Sequence, residues 1–112
     1  TGQKIVAIVT HESAQNLNLK VGEQAFALIK SSSIIVMTED EGIKFSARNQ
    51  FAGTVSRVLP GAVNTEIMID FGDGQNIAAI ITNESCERLE LAVGKNASAL
   101  FKASSVILGV PA

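Results

Sequence analysis

Between residues 64 and 71 apolar and polar side chains alternate, with Thr65, Ile67, Ile69 and Phe71 on one face and Asn64, Glu66, Met68 and Asp70 on the other. A period of two is the mark of a strand with one buried face. The stretch 51–59 alternates in the same way and stops at Pro60-Gly61, a turn signal. Gly72-Asp73-Gly74 has hairpin chemistry, because glycine takes positive φ at little steric cost. It leads into 75–81, a nearly unbroken apolar run that predicts a strand buried on both faces. Thr82 or Asn83 then caps a short helix over 83–89, since a side-chain oxygen there accepts from amides that lack a helical partner. Val93-Gly94 turns the chain into a strand over 96–102, Ala103-Ser104-Ser105 makes a bend, and a strand over 106–110 ends the unit. The fold class expected is all-β with a short helix, a five-stranded barrel of the OB type closed so that few edges remain.

The pattern is stated twice. LNLKVGEQAFALIKSSSI at 17–34 matches LELAVGKNASALFKASSV at 89–106, an offset of 72 residues. The offset holds outside that window: Gly2-Gln3 falls on Gly74-Gln75, and Thr10, Glu12 and Ser13 fall on Thr82, Glu84 and Ser85. About half of the first 37 positions are identical to their counterparts. Fixed spacing of this kind predicts a duplicated structural unit. Three segments follow: 1–37 as the C-terminal half of a first repeat, 38–43 as an acidic, solvated linker, and 44–112 as a complete second repeat. On this reading the first repeat is truncated and repeats only strand, helical turn, strand and strand. Its missing half is expected from elsewhere, because proteins avoid open strand edges.

Composition narrows the function. With 112 residues, 46% hydrophobic and 18% charged, the chain has the makings of a packed domain. Its apolar runs, such as 77–81, fall far short of the roughly 20 residues that span a bilayer, so no membrane partner is expected. A net charge of −2 and five Phe without Trp or Tyr offer neither the basic footprint nor the stacking platforms of a nucleic-acid surface. The one cysteine, Cys86, has no internal disulfide partner and aligns with Ala14, which reads as a packing residue. His11 aligns with Asn83 and reads as a polar residue near a helix start. No cluster of Cys, His and carboxylates suits a metal cation, and no nucleophile recurs with a base, so no catalysis is expected.

Ser46-Ala47-Arg48-Asn49, then Gly53-Thr54-Val55, then Gly61-Ala62-Val63-Asn64-Thr65-Glu66, with Lys102-Ala103-Ser104-Ser105-Val106, closely resemble the signature of the Mop family. These are molybdate-binding, TOBE-like domains, found in molbindins and as the C-terminal part of the molybdate-responsive transcription regulator. The resemblance covers essentially the whole chain. It implies OB-like barrels assembled six to a ring, as a hexamer of single units or a trimer of tandem pairs. It implies molybdate or tungstate as bound ligand at domain interfaces, in a cytoplasmic protein of storage, homeostasis or sensing.

Carried over residue by residue, the oxyanion-binding candidates are Ser46, Ala47, Arg48 and Asn49 with Thr82, Lys102, Ala103 and Ser104. The repeat adds Thr10, Lys30, Ser31 and Ser32, and a second class of site near a threefold axis adds Gly61, Ala62, Val63 and Asn64. Residue type alone also admits solvated lysines at 30 and 102, and turn serines at 32–33 and 104–105. The chemistry fits an oxyanion independently. A tetrahedral dianion has acceptors only, so its site needs hydroxyls, amides and cations and no carboxylate. The alternatives are the accessory TOBE barrel of an ATP-binding molybdate transporter subunit and the ligand-sensing domain of a DNA-binding regulator.

Overall fold

The computed structural model describes residues 3–38 and 44–112, so most of the acidic linker, 39–43, and Gly2 of the repeat lie outside the described residues. The chain is mostly β with two short helices. In order, α1 spans His11–Asn16, β1 Phe26–Ile29, β2 Ile35–Met37, β3 Asn49–Pro60, β4 Asn64–Gly72, β5 Gln75–Thr82, α2 Asn83–Arg88, β6 Asn96–Phe101 and β7 Val106–Gly109. One-turn 3-10 segments at Ser31–Ser33 and Ala103–Ser105 join β1 to β2 and β6 to β7. The five-stranded antiparallel sheet has the order β2-β6-β3-β4-β5, and β1 pairs with β7 in a separate ribbon.

The alternation read in β4 is the alternation observed. Thr65, Ile67 and Ile69 are 2% exposed or less, whereas Asn64 is exposed and Glu66 and Met68 are half-buried. Ile67 and Ile69 pack with Phe51, Val55, Ala79, Ala97, Ala99 and Phe101 into one core. The Phe51 ring stacks on Phe71 at 4.9 Å between centroids and lies tilted against Phe101 at 5.7 Å. In the hairpin between β4 and β5 Gly72, Asp73 and Gly74 have φ of +130°, +54° and +73°. That left-handed run is why the turn carries two glycines.

The halves repeat each other in geometry as well as in letters. Thr10 and Thr82 cap α1 and α2, each hydroxyl accepting from the amide of the Ser three residues on at 3.1 Å. Asn18 and Glu90 follow at φ +54° and +53°, and Gly22 and Gly94 at +92° and +95°. The difference lies after the helix, where Lys95 Nζ donates to the Leu89 carbonyl at 2.6 Å. Glu23, its counterpart, has no proton to donate there.

Three expectations are altered by the structure. The fifth strand of the sheet is β2, from the first half, and not β7 of the complete unit. The 3-10 turn before β7 redirects the chain without reversing it, so β6 and β7 each take a partner from the first half: β2 on β6 with Met37 opposite Ser98, and β7 on β1 with Gly109 opposite Phe26. Second, β5 is an outer strand of its sheet. Of its residues only Ala79 is fully buried and Ile80 is 37% exposed, so its apolar run is covered on one side only. Third, residues 4–9, counterparts of 76–81, form no strand. A strand exists through its ladder, and no β4-type neighbour lies beside them among the described residues.

Gly53 fixes the crossing of β3 over β4. A Cβ built there would lie 2.1 Å from the Asp70 carbonyl oxygen, a backbone atom that cannot swing aside. Gly53→Ala is expected to lower stability by about 1–3 kcal/mol, read as a lower urea midpoint at unchanged m-value.

Candidate functional site

Where the two halves meet, the β2–β6 pairing leaves a cavity of about 540 Å³. Its walls are Ile35, Val36 and Met37 of β2, Leu100 and Phe101 of β6, and Phe45. Its polar groups come from four places in the sequence: Ser33, Ser46 with the backbone of Ala47, Lys102, and Ser105. Among the described residues no carboxylate lines it. Lys102 precedes the second 3-10 turn, and the Ser105 amide donates to its carbonyl at 3.0 Å. That bond holds the Lys and Ser side chains at fixed ends of a single turn. Ser33 is held in the same manner, its amide donating to the Lys30 carbonyl at 2.8 Å.

Of the candidates, then, the structure brings together Ser46, Ala47 and Lys102, and adds Ser33 and Ser105. The signal for the added pair was the doubled Lys-x-Ser-Ser phrase, which runs one serine beyond the matched candidates. Arg48 and Ser104 are exposed and stand outside the cavity lining. Ala103 is 3% exposed, and its carbonyl accepts from the Ile8 amide at 3.0 Å. Ser31 and Ser32 belong to the first 3-10 segment, with Lys30 just before it; the segment packs beside β5 and contributes only Ser33 to the cavity. Thr10 and Thr82 are committed to their helices: besides accepting from an amide, each hydroxyl donates to the hydroxyl of Ser13 or Ser85 at 2.9 Å.

Asn49 is engaged with the backbone. Buried to 2% exposure, its carboxamide accepts from the Val6 amide and donates to the Val6 carbonyl, both at 2.8 Å. A side-chain amide thus takes the place of a ladder partner for residues 4–9, and it does so next to Ser46-Ala47. The loop Gly61–Asn64 is likewise tied down by α2. The Asn83 side chain donates to the Gly61 carbonyl at 3.0 Å and accepts from the Thr65 hydroxyl at 2.5 Å, and the Asn83 amide donates to the Val63 carbonyl at 2.9 Å. Val63 stands out from this loop at 69% exposure.

The chemistry of the lining suits an anion: lysine and serine side chains carry donors, and apolar walls lower the local dielectric and strengthen any charge pairing made there. Among the described residues no group of three or more His, Cys, Asp or Glu is placed to hold a metal ion. No helix there is long and apolar enough to cross a membrane.

A small antiparallel OB-like fold, with a cavity between its halves that lysine, serine and apolar residues line and, among the described residues, no carboxylate, has the chemistry of an anion-binding module. Comparison with known proteins places it further. The TOBE domain profile matches residues 1–36 and 46–108. The molybdenum transport protein ModE of Herbaspirillum seropedicae is 45% identical over 108 residues, which are 96% of this chain and 40% of that protein. A probable molybdenum-pterin-binding protein of Haemophilus influenzae is 41% identical over 68 residues, 61% of this chain and 99% of that one. The crystal structure of the cytoplasmic molybdate-binding protein ModG, with molybdate bound, superposes with a TM-score of 0.94 at 43% identity, over 98% of this chain and 78% of that one. The chain belongs to the TOBE domain family, in its Mop or molbindin branch. It spans about two-fifths of the ModE proteins it matches.

The Asn49 clamp is open to test. Asn49→Ala leaves the Val6 amide and carbonyl without these partners and is expected to cost about 1–3 kcal/mol, with faster hydrogen exchange at Val6 while the β4 amides exchange as before.

Proposed function

We propose that this chain binds molybdate or tungstate in the cavity between its halves, without catalysing a reaction. The observation that carries this reading is the convergence of Ser46, Ala47, Ser33, Ser105 and Lys102 on one space that, among the described residues, no carboxylate lines. Hydroxyls and the Ala47 amide donate to oxyanion oxygens, and the Lys102 ammonium supplies a charge-assisted bond of about twice the neutral strength. Sulfate has the same charge and shape but is smaller, so selection rests on how rigidly the donors are spaced. The names of the relatives point the same way: ModG is described as a molybdate-binding protein.

A five-atom anion fills only a small part of about 540 Å³. Arg48 and Ser104, exposed nearby in sequence to the lining residues, are therefore read as donors to the same class of site when copies associate. On this proposal the working form is a homo-oligomer, a trimer of tandem repeats or a hexamer, in the cytoplasm. Residues 1–37 act as half of one repeat and 44–112 as a complete one, joined by the acidic linker. Lys30 with Ser31 and Ser32 is half of a second site of the same kind, and Gly61–Asn64 a further contact between copies. The biological setting we favour is storage or sensing. The ligand-sensing part of a DNA-binding regulator is a specific form of this, supported by 30% identity over 105 residues to the Escherichia coli transcriptional regulator ModE, of which the chain spans 39%.

Titration calorimetry tests the proposal on protein whose mass has been measured by light scattering. Molybdate is expected to bind at micromolar affinity or better, roughly −8 kcal/mol, with sulfate at least tenfold weaker. Lys102→Ala is expected to weaken molybdate about tenfold or more, in line with about 1.5–3 kcal/mol for a hydrogen bond to a charged group. Absence of heat from an assembled oligomer refutes oxyanion binding by this chain.

A further inference from the structure

The ladder between β3 and β6 stops at the cavity. It runs from Thr54 opposite Asn96 to Asn49 opposite Phe101. Past that last pair the two chains are unpaired and form a fork. One prong leads back from Asn49 through Arg48 to Ala47 and Ser46, and the other leads on from Phe101 to Lys102 and the 3-10 turn Ala103–Ser105. The cavity is lined from both prongs, by Ser46 and Ala47 on one and by Lys102 and Ser105 on the other. The ladder thus holds the two donor segments together only at their base.

A third piece of chain fastens both prongs. The Asn49 carboxamide, at the base of the first, holds the amide and the carbonyl of Val6, both at 2.8 Å. Two residues on, the Ile8 amide donates to the Ala103 carbonyl of the second prong at 3.0 Å. Residues two apart in an extended chain turn their backbone groups to the same side, which is how Val6 and Ile8 reach Asn49 and Ala103 from one edge. Ala7, between them, packs against the core. The Val6 and Ile8 side chains are 37% and 55% exposed, so burial does little to hold this segment and the hydrogen bonds to Asn49 and Ala103 do more. Both anchor residues are themselves buried, which leaves them little freedom to move with the segment. The contact recurs in the other half, where β5, the counterpart of residues 4–9, packs beside the first 3-10 segment.

We propose that residues 6–8 are a brace across this fork, and that Asn49 is a positioning residue that acts through the brace to fix the spacing between the Ser46-Ala47 donors and the Lys102-Ser105 donors, and with it the discrimination between oxyanions of equal charge and different size. The inference rests on the proposed function for its ligand and on the hydrogen bonds of Val6 and Ile8 for the brace itself. A donor holds an acceptor only within a window of about 2.7–3.2 Å. Prongs free to close follow a smaller anion inward and bind it nearly as well as a larger one. Braced prongs stay at the separation that suits the larger anion, and the smaller one is left with stretched bonds. The brace works only while both ends are fastened, so cutting either end has the same consequence and cutting both adds little.

The test combines competition calorimetry between molybdate and sulfate with nitrogen relaxation dispersion on the anion-free, isotope-labelled chain. Asn49→Ala cuts one end of the brace. Ile8→Pro removes the amide that makes the other end, at an exposed position where the fold is not at stake. Each is expected to lower the molybdate-to-sulfate affinity ratio about fivefold or more, and the double variant about as far as the larger single effect. Each is also expected to bring microsecond-to-millisecond exchange to the Ala47 and Ser105 amides while the β4 amides relax as in the unaltered chain. Gly53→Ala, which destabilises the crossing of β3 over β4 and leaves both ends of the brace in place, is expected to keep the ratio. The proposal is overturned if Ala47 and Ser105 relax in both variants as in the unaltered chain, if the ratio stays within about twofold, or if Gly53→Ala lowers it as far. A chain that binds neither anion refutes the proposed function, and the relaxation measurement then decides the brace by itself.

Discussion

The structure depends on one reciprocal pairing, β2 on β6 and β7 on β1, made in the same register with the halves exchanged. Neither half closes its own sheet. Strands β6 and β7 are separated by Lys102 and a three-residue 3-10 turn and lie in different sheets. Each must find its hydrogen bonds in the opposite half, since a buried backbone group left unpaired costs about as much as a lost hydrogen bond. Leu100 and Phe101 are buried on a strand that lies between β2 and β3, and Ile34 and Val36 join the core where β6 receives β2.

The cavity proposed to hold the anion follows from the same pairing. Its Lys102 and Ser105 lie on one side of the junction, Ser33 on the other, and Ser46-Ala47 enters from the segment that Asn49 anchors to Val6. No single stretch of chain holds these groups together. Their spacing is set by strands that bury Phe101 and Val36 and by two 3-10 turns whose amide bonds hold the serines in place. A cavity assembled at a junction of stiff elements suits discrimination between anions of one charge and two sizes, which needs donors that do not follow the smaller ion inward.

Local chemistry was legible in the sequence, and long-range pairing was not. The alternation of Thr65, Ile67 and Ile69, the glycine hairpin at 72–74 and the threonine caps are each decided within a few residues, and each is observed. The run 75–81 read as doubly buried because hydrophobicity does not say how many neighbours a strand has, and β5 has one. Likewise nothing in Leu28 and Leu100 distinguishes them; the same phrase gives an exposed strand and a core strand according to what lies beside it. Of the residues that line the cavity, Lys102 and Ser46 belong to motifs legible in the sequence, while Ser33 and Ser105 were visible only as the extra serine of a repeated phrase. The engagement of Asn49 with Val6 joins positions 43 residues apart, and no local signal carries it.

On the proposed function, ligand affinity and the association of the halves are linked quantities, because the cavity sits at the junction. An anion held by donors from both sides favours the paired arrangement by its binding energy in that arrangement alone, and the pairing raises affinity in the same measure. Lys102 makes the linkage effective. It is an exposed charge in the structure and not a buried one, so the empty site bears no large desolvation cost and does not need an anion to fold. The apolar walls of Ile35, Leu100 and Phe101 then act on the bound state, where water is displaced and the charge pairing gains strength. Stability without ligand therefore comes from the strands, and affinity comes from groups that the strands only bring into range. That division lets the side chains at the mouth change the selectivity of the site without placing the fold at risk.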